Sequence, residues 1–289
     1  MMYSRPTYDE LWSYFGSADK LPQASASPLQ LSSLLDSSEA SNTEIEALIQ
    51  SDPALTASIL KAASSAAYGR TKPVTTIREA VMVLGFRAIR YLAVALWTTA
   101  LLTETQHDTH FDPKRFANNG VFIGTLAAKL FNQSDEAKAS GWTTEEMYAA
   151  GILSNIPIGL ISLMAPGLYN ELFTVAQAKE CSLEVVFNAM YGKPLNSLGI
   201  HAMTVLGIPE AFIHAQGHLD HPESAEEIAA PVHILAYSKL QADYCGFGVS
   251  EWEIEFSSSD PLWTDDTDVL STVDAIAKSL NPKGLEKSA

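Results

Sequence analysis

Ile49-Gln50-Ser51-Asp52-Pro53-Ala54-Leu55 is the stretch that decides the fold class of this chain. Asp52 can accept from the free N–H groups of a new first helical turn, and Pro53 fits where that turn needs no N–H. The pair therefore ends one helix and begins the next. Upstream, Thr43 and Glu46 have the spacing of a capping box, predicting a helix over Glu44–Gln50. Downstream, Leu55, Ile59, Leu60 and Ala63 recur at intervals of three and four, the apolar stripe of a second helix. Ser64, Ser65, Ala66 and Ala67 are small enough for close approach by another element, and Tyr68-Gly69 turns the chain.

The same signals recur along the sequence. Thr76 and Glu79 form a second capping box, followed by Ile77, Ala80, Val81 and Leu84 and closed by Gly85. Asp112-Pro113 repeats the helix start and opens a segment reaching about Leu130, and Thr143 with Glu146 opens another. The nearly uncharged run Gly151–Ala165 reads as a central helix broken at Pro157. Further helices are predicted over Leu168–Lys179, Leu183–Met190, Ser197–Leu206 and Pro209–His218, with a longer one after Ser224 and Glu227 that ends near Gly246. Alternation of period two is scarce, so the predicted fold is all-α.

Residues 247–267 combine Glu251, Glu253, Glu255, Asp260, Asp265 and Asp266 with Trp252, Phe256 and Trp263, which suggests an acidic segment partly docked on the body. Asp268 is placed to cap a last helix through about Leu280, with Val269, Val273 and Ile276 on one face, and Asn281–Ala289 reads as a frayed tail.

Composition narrows the function classes. The 289 residues are 47% apolar, with 5 Trp, 10 Tyr and 11 Phe, enough for a large core. A net charge of -16, from 34 acidic against 18 basic side chains, disfavours nucleic acid and anionic membrane as partners. Cys181 and Cys245 are too few for a disulfide framework and lack metal-ligand spacing, in keeping with a cytoplasmic protein. The first residues show no secretory signal pattern. Val81–Leu102 is apolar, yet Arg87 and Arg90 interrupt it, which suits one bent or two consecutive buried helices better than a membrane span.

The stretch around Asp52-Pro53, with Leu60-Lys61-Ala62-Ala63-Ser64-Ser65-Ala66-Ala67-Tyr68 after it, resembles the HDOD domain (HD-related output domain) of bacterial signalling proteins. Members show a "DPxL" turn, here Asp52, Pro53 and Leu55, and then an "NSA" segment, here Ser64, Ser65 and Ala66 before Tyr68, with Ser64 where Asn is usual. Ile77–Gly85 is similar to the family's "AIxxLG" helix and ends on Leu84-Gly85. The resemblance implies an HD-domain-like helical fold with an N-terminal helical subdomain and a C-terminal degenerate HD core. It divides the chain into an N-terminal extension over 1–20, the HDOD-like domain over 21–246 (subregions about 21–105 and 112–246), and an acidic segment with a C-terminal helix over 247–289.

Catalytic HD proteins hold metal with histidines and aspartates from separate helices, the name coming from an adjacent His-Asp pair. In the matching stretch of this chain, Ser154 and Asn155 occupy that pair's positions, and Asn118 stands at another usual histidine position. Neither an amide nor a hydroxyl replaces imidazole or carboxylate as a metal anchor. The resemblance therefore implies a non-enzymatic regulatory module with no cofactor, working through a protein partner. The alternative is a sensor holding a small molecule or nucleotide in a pocket remnant at Asn118, Ser154 and Asn155. A residual phosphohydrolase is the third reading.

Other candidates have plainer explanations. His214, His218 and His221, with Asp220 nearby, are the one spacing that suggests a metal, but Gly217 and Pro222 predict a helix end inside the group. His107-Asp108, with His110 behind it, falls in a polar connection between helices, outside the context the motif needs. His201 and His233 read as core or boundary residues, Glu145 and Glu146 as first-turn acids, and no glycine belongs to a recognisable phosphate loop.

Overall fold

The computed structural model describes residues 4–17, 34, 41–64, 73–86, 89, 110–206, 208–225, 228–245, 248–249 and 271–276. Among them the ordered elements are helices, with no strand. In chain order they are α1 (Tyr8–Phe15), α2 (Asn42–Gln50), α3 (Pro53–Ala63), α4 (77–86), α5 (Pro113–Gln133), α6 (Asp135–Ala139), α7 (Thr144–Leu153), α8 (Ile156–Met164), α9 (Pro166–Lys179), α10 (Leu183–Tyr191), α11 (Leu195–Val205), α12 (Glu210–His218), α13 (Ala229–Tyr244) and the short α14 (271–276). A 3-10 turn, Pro222–Ser224, precedes α13.

The Asp-Pro junction forms as its chemistry requires. The Asp52 carboxylate accepts from Leu55 N at 3.0 Å, and Thr56 Oγ1 ties back to Ile49 O at 2.7 Å. Ile45, Ile49, Leu55, Ile59 and Ala63 then join Val74, Ile77, Ala80, Leu84 and Ile89 in a small N-terminal core. Ser64 closes the connection by donating to Leu60 O and accepting from Val74 N at 2.8 Å. Gly85 has φ +75°, the left-handed conformation that favours glycine at a helix end. Ser65, Ala66 and Tyr68 lie outside the described residues, as do His107-Asp108, residues 90–102 and most of the acidic segment.

Two expected boundaries shift. Helix α2 begins earlier than Thr43 and Glu46 implied: Ser41 is its N-cap, and the box is closed by Glu44, whose carboxylate accepts from Ser41 N at 2.9 Å. Two overlapping Ser/Thr–Glu pairs compete here, and the outer one satisfies the first exposed N–H groups. The central apolar run breaks at Ser154-Asn155, before Pro157. Pro157 sits in the first turn of α8, where its missing N–H costs nothing. Thr76 Oγ1 accepts from Glu79 N as expected, and the Thr143 box and the Asp112 cap form at the expected residues.

The larger core is built by α7–α13 with α5 and α1. Helix α1 packs onto it, burying Leu11 and Phe15 and stacking Trp12 on His201 with ring centroids 4.0 Å apart. The crossing of α5 over α7 is the tightest contact between elements. A Cβ at Gly151 would lie 2.4 Å from both Gly124 N and Gly124 Cα, so the two backbones touch. Tyr148, one turn earlier on α7, packs against both cores. A third, smaller cluster joins Phe122, Ile123 and Leu126 of α5 to Tyr237 and Ala242 of α13 and to Val273 and Ile276. The segment Thr144–Met164 is apolar enough to cross a membrane, but 83% of its most apolar window is buried inside the protein, so that apolarity serves the core.

Candidate functional site

The break between α7 and α8 exposes two backbone turns and two polar side chains to the centre of the molecule. Ser154 and Asn155 are 1% and 3% exposed. Ser154 Oγ donates to Gly151 O at 2.8 Å, which ends α7, while Asn155 Nδ2 donates to Asn119 Oδ1 of α5 at 2.7 Å. Gln216 of α12 reaches in from the other side, its Nε2 donating to Ser154 O at 3.0 Å and to Asn196 Oδ1 of α11 at 2.8 Å. Asn196 Nδ2 in turn donates to Gln216 O. Helices α5, α11 and α12 and the α7–α8 junction are therefore joined through amide side chains and the Ser154 carbonyl, at the position where the resemblance places a metal.

Of the three sequence candidates, Ser154 and Asn155 meet here. The α5 contact to Asn155 is made by Asn119, fully buried, whereas its neighbour Asn118 is half-buried. Asn196 and Gln216 are additional members that the sequence reading missed. Asn155 Oδ1 has no hydrogen-bond partner among the described residues. It belongs to a cavity of about 10 Å3 also lined by Ser154, Asn196, Gln216, Glu184 and Lys239, roomy enough for a single water.

That cavity shares Glu184, Leu195, Asn196, Asp220 and Lys239 with an open groove of about 800 Å3 along α10, α11 and α13. Lys239 Nζ and Glu184 Oε1 are 2.9 Å apart, with side chains 21% and 25% exposed. Burial opposes charging Glu184, yet the adjacent Lys239 ammonium outweighs it and holds the carboxyl below its ordinary range. Burial likewise opposes charge on Lys239, but Glu184, Asp220 and Asp243 together raise its pKa. Asp243 is pushed up to about 7, chiefly by burial and also by repulsion from Glu184, against attraction to Lys239 and Arg115.

The histidine group resolves as a helix end. His214 and His218 face each other with ring centroids 4.9 Å apart, His218 Nδ1 contacts Ser224 Oγ at 2.7 Å, and α12 stops at His218. His221 pairs with Glu223 at 3.4 Å. Among the described residues no three His, Cys, Asp or Glu side chains group so as to hold a metal. His110 sits against Phe173 with centroids 4.6 Å apart, and its N–H donates to Asn170 Oδ1, a structural role.

The arrangement defines a class: an all-helical, HD-like core whose metal-anchoring positions carry amides and a hydroxyl. The family is settled by comparison, since the HDOD domain profile matches residues 21–222, and the chain belongs to that family. An HDOD domain protein of unknown function from Geobacter sulfurreducens has the same fold, with a TM-score of 0.72 at 16% identity over 94% of this chain and 96% of that one. A candidate phosphohydrolase from Shewanella amazonensis SB2B gives 0.63 at 20% identity, over 94% and 93% of the two chains. An uncharacterised Treponema pallidum protein is 23% identical over 225 residues, which are 77% of this chain and 42% of that protein. The chain thus spans less than half the length of that curated relative. Ser154 and Asn155 stand where the resemblance to catalytic HD proteins places the His-Asp pair, and among the described residues no His, Cys, Asp and Glu group takes over that role.

Proposed function

We propose that the chain is a cytoplasmic signalling module that acts by contact with a protein partner and performs no turnover. The observation that supports this reading is the polar junction itself. Asn155 bonds Asn119, and Gln216 bonds both Asn196 and the Ser154 carbonyl, so amides tie the surrounding helices together where the resemblance places a metal. A hydrolase needs imidazole and carboxylate ligands converging there with an open position for water.

The test combines elemental analysis with turnover assays on the full chain, using a generic phosphodiester in added Mn2+, Mg2+ or Fe2+. The expected outcome is no stoichiometric metal and no chelator-sensitive hydrolysis. Metal at near one per chain with hydrolysis lost on chelation would refute the non-catalytic reading. For the contact itself, cross-linking in the native cell is expected to trap a recurrent protein partner at constant stoichiometry. A chain that remains uncross-linked while fully folded and expressed would count against it.

A further inference from the structure

We propose that α14 is a lid on the α5–α13 face, poised to open, and that the buried amide of Gln241 sets how readily it does so. Opening bares Phe122, Ile123, Leu126 and Tyr237, an apolar surface for a protein to cover. That use rests on the protein-contact reading above, whereas the opening itself does not.

Two observations meet here. The first is the small footprint of α14, in which Thr272, Val273 and Ile276 are buried and Ser271, Asp274 and Ala275 are exposed. A helix this short has no stability of its own and depends on what it packs against. Val273 and Ile276 close the cluster formed by Phe122, Ile123 and Leu126 of α5 and Tyr237 and Ala242 of α13, with Cys245 partly buried against it. Segments with few buried side chains open first, well below the free energy of global unfolding. The second observation is Gln241. Tyr237, Gln241 and Cys245 follow one another at helical-turn spacing along α13 and its C-cap, and the outer two pack in the cluster that α14 closes. Gln241 therefore lies on the same face. It is fully buried, and neither its Nε2 nor its Oε1 has a hydrogen-bond partner among the described residues. The side chains of Phe122, Ile123, Leu126, Val273 and Ile276 have no polar group to offer it. An amide sealed from water without partners is far less stable than the same amide hydrated. That penalty exists while the face is covered and disappears when water reaches Gln241, so it works against the apolar packing that holds α14 down. An apolar side chain at 241 fills the same space without the penalty, and glutamine there makes the closed lid metastable.

The test is thiol labelling of the full folded chain with N-ethylmaleimide, resolved by peptide mass spectrometry. Cys245, against the cluster under α14, is the reporter, and Cys181, packed on the larger core, is the internal control. Gln241→Met keeps the length of the side chain and removes both polar atoms, so it is expected to slow Cys245 labelling about tenfold. Gln241→Leu replaces it should the methionine variant not fold. Val273→Ala weakens the lid from its own side and is expected to speed Cys245 labelling about tenfold. Cys181 is expected to keep its rate in every variant, and the Cys245 rate in the native chain to be nearly flat in low urea, the signature of local opening. The proposal is overturned by a Cys245 rate that is unchanged or faster without the Gln241 amide, by one unchanged in Val273→Ala, by an equal change at Cys181, or by a urea dependence as steep as that of global unfolding. Labelling is read with no partner present, so its failure leaves the protein-contact reading standing.

Discussion

Removing either side of the Asn119–Asn155 contact tests whether the amides tie the core together. In Asn119→Ala the Asn155 amide loses the acceptor for its Nδ2, and since Oδ1 already has no partner the whole group is left buried and unsatisfied. An unsatisfied buried polar group costs about 1–3 kcal/mol, and the small void left by the side chain adds roughly 0.5–1 kcal/mol. The expected loss is therefore about 2–4 kcal/mol. Asn155→Ala also removes the orphan Oδ1, which returns part of that cost, so its expected loss is smaller, about 1–3 kcal/mol. The double variant strands neither partner of this bond and is expected to be more stable than the sum of the singles by about 1–2 kcal/mol. Urea unfolding of all four proteins measures the cycle, and Tm should fall by about 2–4 °C per kcal/mol lost. Strict additivity would refute the reasoning, because it would mean that the two amides do not interact in solution.

Three further outcomes follow from other contacts. Gly151→Ala forces a Cβ to 2.4 Å from the Gly124 backbone and is expected to cost at least about 3 kcal/mol, whereas Gly217→Ala, whose nearest neighbour is Ile200 Cδ1 at 3.6 Å, should be neutral or stabilising; comparable Tm values for the two would contradict the close crossing. Because the Asp243 pKa is raised to about 7, the folded protein holds a proton there that the unfolded chain releases near pH 4, so this contribution is full below that pH and is lost as pH rises through 7. The slope is at most about 1.4 kcal/mol per pH unit, reduced by partial solvent access, and a urea midpoint that falls between pH 5 and pH 8 equally in the native chain and Asp243→Asn would show that Asp243 is not its source. Thr143→Ala removes the acceptor for Glu146 N and should lower stability by about 1 kcal/mol in the same measurement, a change within a few tenths arguing against the capping box.

Where local chemistry decides, the helices are legible in the amino-acid sequence itself. Asp52-Pro53 and Asp112-Pro113 each carry their own cap, so no distant contact is needed to place them. The Thr43–Glu46 reading misses Ser41 because two Ser/Thr–Glu pairs overlap there, and the outer one, Ser41 with Glu44, forms the cap. Asn119 was readable in principle. It lies three residues from Phe116 and from Phe122, on the buried stripe of α5, while Asn118 falls off that stripe. Motif resemblance points to Asn118, whereas helix phase points to Asn119, the asparagine that bonds Asn155. Asn196 and Gln216 had no such signal, since each lies far along the chain from Ser154 and only tertiary packing brings them together. The Glu184–Lys239 pair is illegible for the same reason, being 55 residues apart.

Tyr148 ties the two cores to the α7–α8 junction. It packs against both the N-terminal and the larger core, and it stands about two turns before Asn155, midway along α7. A helical segment of that length spans about 10 Å and resists bending. Between the two, Gly151 brings the α7 backbone against that of Gly124 on α5. The small N-terminal core and the polar junction at Asn155 are thus served by one short stretch of chain, so the packing of Tyr148 and the placement of Ser154 and Asn155 are set on the same element.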